Sequence, residues 1–264
     1  MTMTGARRAK RIVRGVVGVM AIAALWQVFA GSALFPAALS PDLPAIGRAL
    51  RVALVDGTLV HHAAYTLGRV LLALTMAAVL TIPLGIWMAR SARVEGFLLP
   101  LVSSMMPIPS LALVPLFILW FGLGNVTAVL AVFYAATFPL LYNVWTGVRS
   151  IDPILIRSAR SMGSTRRQLF WKVILPGALP YVITGIRQSF GRAWISVIGA
   201  ELLSGTEWGL GRLIFDSREY LKTDVLIVAL LAIGGIGVAF ETIVFRSIDT
   251  RTVVRWGMIS EDRK

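Results

Sequence analysis

The chain has 264 residues, 57% of them apolar and only 15% charged, with a mean hydropathy of +0.78. A soluble domain carries roughly a quarter charged residues, so a water-soluble globular fold is excluded. Cysteine is absent, which removes disulfides, thiol catalysis and Cys-based metal sites.

A basic opening with Arg7, Arg8, Lys10, Arg11 and Arg14 precedes an uncharged run from Gly15 to Phe35. This start also has the outline of a secretory signal ending at 30-AGSA-33, but the apolar run is long for that role. The stretch 36-PAALSPDLPAIGRALRVALVDGTL-59 then predicts a proline-containing loop and a short amphipathic helix. His61 and His62 follow without further ligands at metal-binding spacing, and are read as interfacial.

The second uncharged run covers Val70 to Ala89, and Gly96 to Val148 is long enough for two spans, with a break at 122-GLGN-125. The first of that pair carries Pro100, Pro107, Pro109 and Pro115. Such a helix is kinked or unwound, with its freed carbonyls buried in protein or facing a water-filled cavity. Broken helices at membrane depth often serve passage or gating, which makes Pro107 and Pro109 candidates for a translocation path. A kink that only improves packing is the plainer alternative.

Gly177 to Leu203 and Val225 to Phe245 are equally apolar, apart from Arg187, Arg192, Glu201 and Glu241. The connection 204-SGTEWGLGRLIFDSREYLKTD-224 is long enough to fold back as a short helix, and its 209-GLG-211 needs no more than a turn. Gly234, Gly235 and Gly237 permit close helix contact. At about 20 residues per span, the sequence predicts an all-α polytopic membrane protein with six transmembrane helices. The short alternating segments of a transmembrane barrel are absent.

The net charge of +13 is topological rather than a nucleic-acid footprint. Beyond the opening, Arg90 and Arg93 follow the second span, and Arg149, Arg157, Arg160, Arg166, Arg167 and Lys172 follow the fourth. Arg246, Arg251, Arg255, Arg263 and Lys264 follow the sixth, whereas the opposite connections hold only Arg48, Arg51, Arg212, Arg218 and Lys222. By the positive-inside rule, both termini and the segment after the fourth span lie in the cytoplasm.

That segment, 157-RSARSMGSTRRQLFWKVILPGALP-180, has readable local structure. Asp152 before Pro153 predicts an N-cap with proline at the first helical position. Gly163 fits the left-handed residue that ends a helix, and Ser164 is placed to cap a second one. Leu169, Phe170, Val173 and Ile174 follow helical spacing in that second helix. Helix, sharp corner, helix, apolar on one side and basic on the other, suits docking into a groove on a soluble partner. An anchoring loop needs less.

The run 157-RSARSMG-163, nine residues, then 173-VILP-176 resembles the E-A-A-x3-G-x9-I-x-L-P loop of permease subunits of bacterial ATP-binding-cassette (ABC) importers. The likeness extends over roughly Gly57 to Arg246. It includes 107-PIPSLALVPLFILWFG-122, 191-GRAW-194, 200-AELL-203 and 222-KTD-224, which are similar to the sulfonate, taurine and nitrate branch. Ala159, Gly163, Val173, Leu175 and Pro176 follow the loop pattern; Arg157 replaces its glutamate and Ser158 its first alanine. The contact which that glutamate makes with a basic ATPase residue is therefore not carried over, although docking is.

The resemblance implies a permease core over 57–246. Before it come a cytoplasmic start, first span and external amphipathic segment over 1–56; after it comes a cytoplasmic tail over 247–264. It implies a homodimer in the bacterial cell membrane, two ATPase subunits on the cytoplasmic face and an external solute-binding protein. The chain has no G-x-x-x-x-G-K-[ST] loop, so ATP and Mg belong to the partner ATPases, and no cofactor, metal or catalytic residue is expected here. The implied cargo is a small solute such as an alkanesulfonate, taurine or nitrate, with a thiamine-precursor pyrimidine as another solute of the same importer class. A secondary transporter would carry more intramembrane acidic or histidine groups and inverted repeats. A membrane enzyme would need a nucleophile or metal constellation, such as G-x-S-x-G or H-E-x-x-H, which is missing.

Within the fifth span, Arg192 and Glu201 are nine residues apart, on nearly opposite helix faces. They cannot pair with each other in a straight helix. Arg192, beside Phe190 and Trp194, is expected to offer positive charge to an anionic solute in the path, and Glu201 to hold an external gate through a polar contact. For each, a structural bond to backbone of a neighbouring span is the alternative.

Overall fold

The computed structural model describes residues 3–32, 34–36 and 38–249. The expected tail therefore lies outside the described residues from position 250 onward, with Arg251, Arg255, Arg263 and Lys264. The described chain is helical throughout and contains no strand: α1 (Met3–Gly31), α2 (Leu43–Val55), α3 (Thr58–Arg90), α4 (Ala92–Met105), α5 (Ser110–Phe121), α6 (Asn125–Arg149), α7 (Pro153–Ser161), α8 (Arg166–Leu169), α9 (Leu175–Leu203), α10 (Leu210–Glu219), α11 (Thr223–Ala239) and α12 (Arg246–Asp249). π-Helical turns at Phe170–Ile174 and Phe240–Phe245 carry α8 into α9 and α11 into α12.

Five stretches are long and apolar enough to cross a bilayer: Val13–Gly31, Thr58–Arg90, Asn125–Arg149, Arg166–Leu203 and Thr223–Phe245. The pair α4 and α5, bent by 97°, makes a sixth if taken as one broken span. The bend falls at Pro107 and Pro109, and its chemistry is local. Pro109 has no N–H to give the Met105 carbonyl; instead Tyr134 Oη donates to that oxygen at 2.7 Å and Ile108 N at 3.1 Å.

Two boundaries differ from the sequence reading. The second span begins at Thr58 rather than near Val70, because Arg69 is a buried side chain and not the edge of the membrane segment. The helical run that carries the fifth span starts at Arg166, ahead of its apolar part, because the π-turn absorbs the missing N–H of Pro176 and the helix continues.

The chain divides into two compact units. One comprises the residues up to His61 with Leu213–Ala232. In it, the Asp42 carboxylate accepts from Ala45 N to cap α2, Trp26 Nε1 donates to the Pro41 carbonyl at 3.0 Å, and Leu43 N donates to Gln27 Oε1 at 2.9 Å. The helix expected there is amphipathic as read: Ile46 and Ala53 are buried while Arg48 and Arg51 are exposed.

The other unit, His62–Arg212 with the chain from Ile233, holds the main core. Val70, Ala73 and Ala77 of α3 meet Val132 and Ala136 of α6 and Phe190, Ala193, Trp194 and Val197 of α9. Lipid tails are as apolar as leucine, so helices in a membrane associate through close van der Waals packing rather than through the hydrophobic effect. Small residues supply it here. A Cβ at Gly147 would sit 2.4 Å from Tyr181, one at Gly185 2.8 Å from Asn143, and one at Gly199 2.5 Å from Leu111. Of the three glycines noted in the last span, Gly237 lies against Trp194, whereas Gly234 and Gly235 face open space.

Candidate functional site

Three places on the larger unit gather the residues singled out in the sequence. The first is the corner between α7 and α8. Asp152 caps α7 by accepting from Ile154 N at 2.7 Å. The helix ends in a closure with two reversed bonds, Ser164 N to the Ala159 carbonyl and Gly163 N to the Arg160 carbonyl, with Gly163 at φ +77°. Thus Ala159 supplies the acceptor and Gly163 the left-handed backbone of one device. The cap of α8 is Thr165, not the expected Ser164. Ser164 is still engaged in closing α7, and only Thr165 has a glutamine three residues on. Thr165 Oγ1 accepts from Gln168 N at 3.3 Å, while Gln168 Oε1 accepts from Thr165 N at 2.9 Å.

Inward, Leu169 and Ile174 pack with Val148, Ile151 and Ala178, and Ala159 and Val173 join from the edge; Leu175 and Pro176 begin α9. Outward, Arg157, Ser158, Arg160, Arg166 and Arg167 are exposed beside apolar Ile154, Leu155, Trp171 and Met162, the last 84% exposed. An apolar surface ringed by guanidinium groups is thus open on the corner.

The second place is the broken span. Pro107 and Pro109 line a recess of about 500 Å³ with Ser110, Tyr134, Arg192 and Ser196. Arg192 is exposed on the single chain and, among the described residues, makes no ion pair. Ser110 Oγ and Ser196 Oγ are 2.8 Å apart. Trp194 is not brought here. It stacks on Phe190 with ring centroids 6.0 Å apart, and its Nε1 donates to the Ile233 carbonyl at 3.3 Å, on the core side of α9.

The third is Glu201, which is 1% exposed. Arg69 Nη1 donates to its Oε1 at 2.5 Å, and Thr66 Oγ1 and Gly211 N donate to Oε2 at 3.0 and 2.8 Å. Arg69 also reaches Asn125 Oδ1 through Nε at 3.0 Å and Nη2 at 2.5 Å, and Leu210 N donates to Thr66 Oγ1 at 2.7 Å. His62 is buried rather than interfacial, its Nδ1 2.7 Å from the Gly209 carbonyl oxygen. The 209-GLG-211 turn is fitted to this carboxylate. Gly209 has φ +144°, and a Cβ there would sit 2.4 Å from Glu201 Cδ.

Sequence reading missed Arg69, Thr66, Asn125, Tyr134, Ser110 and Ser196. For the first two a signal existed: His62, Thr66 and Arg69 fall at i, i+4 and i+7, a polar stripe on one face of an apolar helix. Among the described residues no group of His, Asp or Glu side chains is arranged to hold a metal. The Arg187 guanidinium, also noted in the fifth span, is bonded to Glu241.

Residues 81–252 match the family model described as binding-protein-dependent transport system inner membrane component. The chain belongs to that family. It is 36% identical over 220 residues to the taurine transport system permease protein TauC of Escherichia coli, covering 82% of this chain and 80% of TauC. It is 32% identical over 243 residues to the putative aliphatic sulfonates transport permease protein SsuC of Bacillus subtilis, covering 92% of this chain and 87% of that one.

A solved amino acid ABC transporter shares the fold, with TM-score 0.62 at 18% identity over 76% of this chain and 97% of that one. The inward-facing MetNI methionine ABC transporter does so at TM-score 0.56 and 20% identity, over 74% of this chain and 97% of that one. The protein is therefore a multi-span permease subunit of the ABC importer class, within the branch that includes taurine and sulfonate permeases; its relatives are transport subunits and not enzymes.

Proposed function

We propose that this chain forms, as a homodimer, the translocation path of an importer for a small anionic solute. Its α7–Gly163–α8 corner docks into ATPase subunits on the cytoplasmic face. Those subunits hold the ATP and Mg, and an external binding protein delivers the solute. Lys/Arg asymmetry supports cytoplasmic termini and a cytoplasmic corner. The observation that carries the docking is the corner itself: two capped helices set by Gly163, with Met162, Ile154 and Leu155 exposed among arginines. A soluble partner with an apolar groove and acidic rim fits that surface.

ATP binding changes the permease only through a difference in its binding free energy between the two arrangements. A corner held rigidly to the ends of α6 and α9 transmits that difference. Sulfonates fit the anion reading because the relatives named above are taurine and sulfonate permeases and because Arg192, on α9, borders the recess at the broken span with no ion pair among the described residues. Met162→Cys tests the docking directly, since the chain has no other cysteine. In the assembled complex, a short bifunctional thiol reagent should join position 162 to a cysteine placed along the ATPase groove, at a yield that changes with ATP. No cross-link in any nucleotide state would rule the corner out as the docking element.

A further inference from the structure

Arg192 is at membrane depth, where an ionisable side chain needs a partner, water or a polar path. On this chain it has no acidic partner among the described residues, and no carboxylate lines the recess it borders. The remaining polar groups there are of one kind. Ser110 and Ser196 form a hydroxyl pair at 2.8 Å, and Tyr134 is spent on the Met105 carbonyl. A hydroxyl is both donor and acceptor. Ser196 Oγ has two acceptors in reach, Ser110 Oγ at 2.8 Å and the Ala131 carbonyl oxygen at 3.4 Å; when its one proton makes the shorter bond, the Ser110 proton is free for an outside acceptor. The rest of the wall is apolar, with Ile108, Leu111, Phe138 and Ile195.

Resting on the translocation-path reading of the broken span, we propose that this recess is itself an anion-selective solute station. It is distinct from whatever selection the external binding protein makes. An oxyanion head lies against the Arg192 guanidinium, whose planar fork matches paired oxygens, and accepts from the Ser110 hydroxyl. A short apolar body lies against Ile108, Leu111, Phe138 and Ile195. No carboxylate in the lining compensates a cation and the Arg192 guanidinium repels one, so a positively charged solute of equal size is disfavoured. A recess of about 500 Å³ lies within the usual size of small-ligand sites, roughly 300–1,000 Å³. A single guanidinium at an open mouth holds an anion weakly enough to let it leave, as passage requires.

Because the chain lacks cysteine, Ile195→Cys puts one thiol on the wall. In the complete complex in nanodiscs, that thiol is labelled with sulfonatoethyl methanethiosulfonate, an anion, and with its trimethylammonium counterpart. Label is read on this chain, with and without ATP. With each rate expressed relative to that reagent's rate with a free thiol in solution, the anionic reagent should be favoured about tenfold, as expected for one nearby charge screened by water. The preference should persist in Arg192→Lys and vanish in Arg192→Gln, and ethanesulfonate should slow labelling only while position 192 is cationic. Equal relative rates for the two reagents with Arg192 present, or ethanesulfonate protection undiminished in Arg192→Gln, would overturn the anion station while leaving an open path. A thiol that neither reagent reaches in any nucleotide state would overturn the path reading, and the station with it.

Discussion

Glu201 and Arg192 lie on the same helix, nine residues apart, and meet opposite fates. Glu201 is buried and receives bonds from Arg69, Thr66 and Gly211, with a turn shaped around it. Arg192 lines an open recess and makes no ion pair among the described residues. A charge removed from water is tolerable when its partners are close and complete, and that carboxylate is completed by the protein. The guanidinium has no such completion among the described residues, which leaves it open to the solute proposed above. Ionisable groups in a membrane span are thus not one class. The number of partners within the described chain separates the one that fastens helices from the one proposed for transport.

The largest effect follows from breaking the closed region. Arg69→Ala would leave the Glu201 carboxylate buried without its cation, a loss of about 3–5 kcal/mol. The purified permease should melt far lower or fail to accumulate, and adding Glu201→Gln should recover part of the loss. Unchanged melting in Arg69→Ala would mean that the knot fastens nothing. Gly211→Ala is next. Its Cβ would fall 2.4 Å from the Ile198 carbonyl oxygen, a backbone atom, so the turn must shift at about 1–3 kcal/mol. A wild-type melting curve for that variant would show that the turn is not seated as described.

The corner sharpens the comparison from the other side, because its conformation matters more to coupling than to stability. Gly163→Val places a branched side chain at φ +77°, at a local cost of about 1–2 kcal/mol. The spans should insert and the protein should accumulate, while ATP hydrolysis no longer drives uptake or the ATPase dissociates. Normal coupled transport by that variant would refute the corner as the mechanical link.

Much of this was legible in the residues. Five spans, the proline-broken pair that makes a sixth if counted as one, the Asp152 cap and Gly163 all rest on local rules, namely span length, missing N–H groups and backbone sterics, and these operate within a few positions. The cap of α8 was misread by one residue because Ser164 and Thr165 are both good caps. Only the Gln168 side chain, three residues after Thr165, decides between them. The stripe of His62, Thr66 and Arg69 is legible, but its pairing with Glu201 is not, since Thr66 and Arg69 are more than 130 positions away in the chain. In the sequence Arg69 does no more than bound the uncharged run that starts at Val70. Adjacency in sequence puts Trp194 beside Arg192, but the helix does not. A two-residue step on a helix turns through about 200°, which carries the indole to the core and leaves the guanidinium outside.

Uptake by Arg192→Gln bears most directly on the division between a fastening charge and a transporting one. The variant keeps hydrogen-bonding capacity and loses only charge. With binding protein, ATPase and membrane present, uptake of the anionic solute should fall by about tenfold or more, the equivalent of one charge-assisted hydrogen bond. Complex assembly, melting temperature and basal ATP hydrolysis should stay near wild type. Wild-type uptake would take Arg192 out of the path, and loss of assembly would make it a structural residue like Glu201.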